Sequence, residues 1–183
     1  MIYRSPPPFL RASLVATALG FAMAQLGAQT RQEAVPTESS AKLEGKAANN
    51  HIFAQEVVNE VMADNPDILA LALHSSPLGE KPGTEAQVCV ASSLDKIGEK
   101  DSAGDIAVAA QDQLNIKLAP LGKITRLKVA VAFRDGSGRI LGYCMISFPN
   151  KMDKLTAHAR TLAILELLAR KFPDQASLFK PTT

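Results

Sequence analysis

A long alternating segment followed by a tight turn and a second long apolar segment commits a chain to a β-hairpin, and residues 124–148 carry that signal. In residues 124–133, Leu127, Val129, Val131 and Phe133 alternate with Arg126, Lys128, Ala130 and Ala132, the period of two that gives a strand two different faces. Asp135-Gly136-Ser137-Gly138 follows, and Asp-Gly tolerates the positive φ of a hairpin turn. Residues 139–148 form the return strand, and Pro149-Asn150 stops it.

The rest of the chain supplies partners for this hairpin. Asn50 is placed to cap a helix in which Phe53, Val57 and Val61 form a stripe widened by Ala54, Val58 and Met62. Asn65-Pro66 ends that helix, because a residue before proline is pushed out of helical geometry. Residues 68–75 read as a first strand, with Leu69, Leu71 and Leu73 on one face and Ile68, Ala70, Ala72 and His74 on the other. A loop rich in proline and glycine leads to a second strand at residues 87–93. Residues 102–113 read as a short helix capped by Ser102, and residues 116–118 as a brief strand before a Pro120-Leu121-Gly122 turn. Asp153 is placed to cap a last helix reaching Phe172, with Leu155, Leu162, Leu165 and Ala169 at helical spacing and Pro173 beyond its end. The expected fold is therefore α+β: helix, two strands, short helix, three strands, long helix.

The first 28 residues are expected to lie outside this fold. Arg4 and Arg11 precede an apolar run at residues 12–24, about the length of a signal-peptide core, with small residues at Ala22 and Ala24. Cleavage is expected after Ala24 or Ala28, and the run is shorter than the roughly 20 residues a membrane span needs. Residues 29–48 are polar and read as a flexible linker, so a single folded unit should occupy residues 49–183. The net charge of +2 equals the contribution of Arg4 and Arg11. Beyond them basic and acidic residues balance, and no electrostatic footprint for nucleic acid remains.

Residues 87–93 end in small hydroxyl side chains and give way to a loop with an Ile-Gly pair. Val90-Ala91-Ser92-Ser93-Leu94-Asp95-Lys96-Ile97-Gly98-Glu99-Lys100-Asp101 resembles the pattern of Cache domains, the extracytoplasmic relatives of PAS domains. In that pattern a strand closes on Ala-Ser-Ser, and a short spacer then leads to Ile-Gly and a charged residue. Residues 129–142, an apolar strand, an Asp-Gly turn and a strand opening on Leu141-Gly142, are similar to the last hairpin of the same family. The likeness spans residues 49–172 and is strongest to small stand-alone exported bacterial proteins of unassigned role.

The resemblance implies a five-stranded antiparallel sheet in which the first strand lies between the second and the fifth. Cys89 and Cys144 would then stand two strand spacings apart, about 9.6 Å, beyond the roughly 7 Å that a disulfide spans. Free, mostly buried cysteines are expected. The resemblance also implies a pocket for a small polar or anionic molecule on one face of the sheet. His74 would offer an imidazole at the end of a small-residue face, or those alanines would admit a closely packed helix with His74 at its rim. Ser92, Ser93 and Lys96 would grip a carboxylate or carbonyl, or the serines would tie off their own turn. Arg126, Lys128 and Tyr143 would line the pocket, or form a solvated strand face.

No cofactor or metal is expected. The three histidines lack metal-ligand spacing, and no Cys-x-x-Cys-His or Gly-x-Ser-x-Gly motif occurs. The expectation is a non-enzymatic, sensor-type binding module of the periplasm or exterior, whose partner would be a membrane receptor or another exported protein. The alternative is a protein-interaction or accessory module with no small-molecule pocket.

Overall fold

The structure, a computed structural model, describes residues 51–182. The export-type segment, the linker and Asn50 lie outside them. In chain order the elements are α1 (Phe53–Asp64), β1 (Ala70–Ser75), β2 (Val88–Ser92), α2 (Ala103–Ala110), β3 (Leu114–Leu121), β4 (Ile124–Arg134), β5 (Ile140–Pro149), α3 (Lys154–Lys171) and α4 (Gln175–Leu178). The five strands form one sheet in the order β2-β1-β5-β4-β3, and every neighbouring pair is antiparallel. This is the expected α+β architecture, with β1 between β2 and β5.

Both faces of the sheet are covered. On one face α1 and α3 bury Val57, Val58, Val61, Ile164 and Leu168 against Leu71, Leu73, Leu127, Val129, Phe133 and Ile146. Phe172, just past α3, meets Phe53 at 5.7 Å and Phe133 at 6.3 Å between ring centroids, both edge-on, which joins two helix ends to β4. On the other face α2 sets Val108 and Ala109 on Ala72, Cys89, Ala130, Tyr143 and Met145.

Three boundaries depart from expectation. Helix α1 begins at Phe53 with Ile52 as its N-cap and no side-chain cap bond, and Asn50, the expected cap, lies outside the described residues. The chain's own tail serves instead: Phe53 N–H donates to the Lys180 carbonyl at 2.8 Å, and Ile52 pairs with Pro181. Strand β3 is longer than the three residues expected and pairs with β4 along its whole length, Leu121 opposite Ile124. Pro120 therefore lies inside a strand rather than in the turn, and β3 tolerates a missing N–H because it is an edge strand. The turn itself is Gly122-Lys123, where Gly122 takes φ +58°. Finally, α4 gives no periodic signal in the sequence; it seats Leu178 in the core.

The other elements follow their local chemistry. Ser102 and Asp153 cap α2 and α3 by accepting from the N–H groups of Asp105 and Thr156. Cys89 and Cys144 are free and buried, one on each face of the sheet. Among the described residues no helix is long and apolar enough to cross a membrane.

Candidate functional site

The α2 face of the sheet collects the polar side chains of three adjacent strands. Cross-strand partners point to the same face, and the register sets His74 beside Tyr143, Tyr143 beside Ala132, and Ser147 beside Lys128. Four of the anticipated residues, His74, Arg126, Lys128 and Tyr143, thus share one face. The alanines between them are covered by Val108 and Ala109, so the small-residue floor admits a closely packed helix.

At one end of this face lies a buried polar cluster. His74 stacks on Tyr143 with ring centroids 4.2 Å apart and planes 18° from parallel. The Asp101 carboxylate accepts from His74 Nδ1 at 2.6 Å, from Gln87 Nε2 at 2.9 Å and from the Tyr143 hydroxyl at 3.3 Å. Burial, together with the Asp101 and Asp105 charges, pushes the Tyr143 phenol far above its ordinary range, so it remains a donor. Burial and the nearby Asp101 push the Cys89 thiol up to about 12, which makes it a poor nucleophile. The cluster pins the Lys96–Asp101 loop, and hence the start of α2, to the centre of the sheet.

Across the face the electrostatics change. Lys128 Nζ lies 3.1 Å from Asp105 on α2. Burial works to raise the Asp105 carboxyl, but the Ser102 hydroxyl and Lys128 outweigh it and hold the group below the usual carboxylate range. Arg126 has no such partner. Its Nη1 donates to Ser147 Oγ at 2.6 Å and touches the Met145 sulfur at 3.6 Å, and no carboxylate among the described residues pairs with it. Its Nε is buried and has no acceptor, unlike every other fully buried side-chain nitrogen or oxygen of the described residues. Burial also lowers the proton affinity of this guanidinium. A cation withdrawn from water without a counter-ion or a full set of acceptors is costly to hold.

The remaining three anticipated residues stand apart. Ser93 Oγ accepts from the Leu71 N–H, and Ser92 Oγ from the Leu94 N–H, each at 3.0 Å. The Ser92 backbone is bracketed by Gln55 of α1, which donates to its carbonyl and accepts from its N–H. Lys96 is half exposed and pairs with Glu99 at 2.7 Å. These contacts tie down the strand exit on the α1 side, and Gly98 takes φ +82° in the same loop.

Sequence reasoning missed Asp101, Gln87, Ser147 and Gln55. Asp101 closes the Ile-Gly motif, but its partners lie on β1, on β5 and in the loop before β2, and leave no local spacing to read. A separate open groove of about 540 Å³ lies between α1, the end of α3 and the tail, lined by Phe53, Glu56, Lys171 and Pro181 among others, and none of the seven anticipated residues borders it. Comparison with protein-family models, curated proteins and solved structures found no match to this chain.

Proposed function

We propose that this chain is an exported, Cache-like module that binds a small anionic molecule on the α2 face of its sheet, with Arg126 as the anchor and Lys128 beside it. One observation carries the reading: Arg126 is a partly buried cation with no acidic partner among the described residues and an unmet Nε donor. Free Nε and Nη2 groups form the edge of a guanidinium that matches an oxyanion in a two-pronged arrangement. Of the other cations on this face, Lys128 is already paired with Asp105, and Lys117 stands opposite it on the edge strand β3. Export is supported by the apolar run at residues 12–24 behind Arg4 and Arg11. His74 and Tyr143 serve this site by anchoring Asp101 and thereby the start of α2, which covers the face.

Isothermal titration of small carboxylates and of inorganic phosphate into the purified chain tests the reading. Binding that weakens about 10- to 100-fold in Arg126→Ala supports it, the loss expected for one charge-assisted pair of about 1.5–3 kcal/mol. Tight binding unchanged in Arg126→Ala moves the site elsewhere. No heat with any anion removes the small-molecule reading and leaves the protein-interaction module.

A further inference from the structure

The two edges of the sheet are treated differently. Beyond β2, the chain protects its own edge: Cys89 N–H donates to the Glu99 carbonyl, Gly98 N–H to the Cys89 carbonyl, and Val88 pairs with Lys100. Beyond β3, at the other end of the sheet, no strand follows among the described residues. An open edge strand is a template for pairing with another chain.

The side chains around that edge are apolar. Leu114, Ile116 and Leu118 lie opposite Val131, Val129 and Leu127, on the face that carries α3, and Leu114 and Leu118 are 46% and 61% exposed. Helix α3 adds Leu155 at 78% and Leu162 at 51%. Most of the exposed large hydrophobic side chains among the described residues thus belong to two neighbouring elements. At about 100° per residue, Ala157, Thr161, Ile164 and Leu168 form the buried line of α3. Arg160 and Lys171 fall to one side of that line, where they bond Asp67 and Glu60 near α1. Leu165 and Leu162 fall to the other side, toward β3, and Leu155 lies one step further out.

We propose that the β3 edge and this flank of α3 form a two-fold interface with a second copy of the chain. A register centred on Ile116 is self-complementary. It sets Leu114 against Leu118 of the second copy and Ile116 against Ile116 on the α3 face. On the opposite face it sets Asn115 against Lys117. The two lysines are kept apart, and Pro120, which lacks an N–H, falls outside the central pairs. A slip of one residue would turn the leucines to the wrong face. Helix α3 rests on β4, and the two β4 strands would be three strand spacings apart, about 14 Å. Helices about 10–12 Å across with their side chains would then nearly touch over the seam, where Leu155 and Leu162 of both copies close the gap. A bare peptide strand would satisfy the β3 backbone but leave Leu155 and Leu162 in water. A copy carrying its own α3 covers both.

Sedimentation of the purified chain over a concentration series tests this. A dimer is expected, with Leu118→Glu and Leu162→Glu each weakening association at least about 10-fold while the far-UV circular dichroism is unchanged. The register is read by disulfide trapping: a mixture of Asn115→Cys and Lys117→Cys chains should cross-link on oxidation, because directly opposed Cα atoms lie about 4.5–5.5 Å apart, and neither variant alone should. Buried Cys89 and Cys144 add no background. A chain monomeric at every concentration, a dimer indifferent to both glutamates, or trapping by a single variant alone overturns the proposal.

Discussion

Single residues carry both the firmest turn and the least satisfied site of this fold. In the β4–β5 turn, Asp135 Oδ1 accepts from the N–H groups of Ser137 and Arg139 and from the Ser137 hydroxyl, and Oδ2 accepts from Arg139 Nε. The Ser137 hydroxyl, with the Arg139 bonds, holds its carboxyl well below the ordinary value of 3.8, against the opposing effect of burial. A carboxyl whose pKa falls on folding contributes stability that is whole above its unfolded value and fades as the solution is acidified through it. Asp135→Asn should therefore lower the melting temperature by several degrees at pH 7, and the gap should narrow toward pH 2.5; thermal melts at the two values check this, and an equal gap at both would contradict it. Arg126 is the reverse case. Replacing an uncompensated, partly buried cation with an apolar side chain of similar length is often stabilising, so Arg126→Met should raise the melting temperature by about 2–5 °C while it abolishes anion binding. A variant that loses stability would mean that Arg126 is held by contacts rather than kept for a ligand. At this scale the sequence was half legible: strict alternation put Arg126 and Lys128 on a common face, and the Cache-like resemblance added Tyr143. Asp101 and Ser147 were hidden, because each acquires its role only when strands distant in the chain become neighbours.

At the level of elements, two joints invite direct tests. Gly142 lies where β5 passes β1, and an added Cβ there would stand 1.8 Å from the His74 carbonyl oxygen. No side chain fits, which gives the Leu141-Gly142 opening of that strand a physical reason. Gly142→Ala should cost more than about 4 kcal/mol or prevent folding, measured by urea denaturation; a variant of ordinary stability would show that β1 and β5 can separate. The second joint is the start of α1, which takes its first acceptor from the tail. Deleting residues from Lys180 onward removes the Lys180 carbonyl and the Ile52–Pro181 bridge, and should cost about 1–2 kcal/mol. Amide exchange of the first turn of α1 should quicken selectively, and unchanged exchange there would rule out the tail as its cap. Most elements were readable because their signals are local: the apolar stripe of α1, the caps at Ser102 and Asp153, and the Asp-Gly turn. The error at Pro120 has a physical cause. A segment with a strong pattern of its own, β4, extended the pairing through a residue whose local signal read as a turn.

For the molecule as a whole, strand order governs chemistry as well as shape. With β1 between them, Cys89 and Cys144 sit two spacings apart and on opposite faces, and burial raises both thiols above their ordinary range. Neither should react with a thiol reagent faster than the domain unfolds, so the labelling rate should track global stability across denaturant; rapid labelling of the native chain would contradict this. Element order together with the Cache-like resemblance was enough to anticipate that order, whereas the covering of the second face was only one of two readings of the alanines beside His74, since Ala130 and Ala132 look polar-side by alternation alone. The clasp between Ile52 and Pro181 has a last consequence. Because the two ends of the described fold lie side by side, a short linker could join them and new ends could be opened in the exposed loop at Gly79. The domain is thus a natural candidate for circular permutation, or for insertion whole into a loop of another protein.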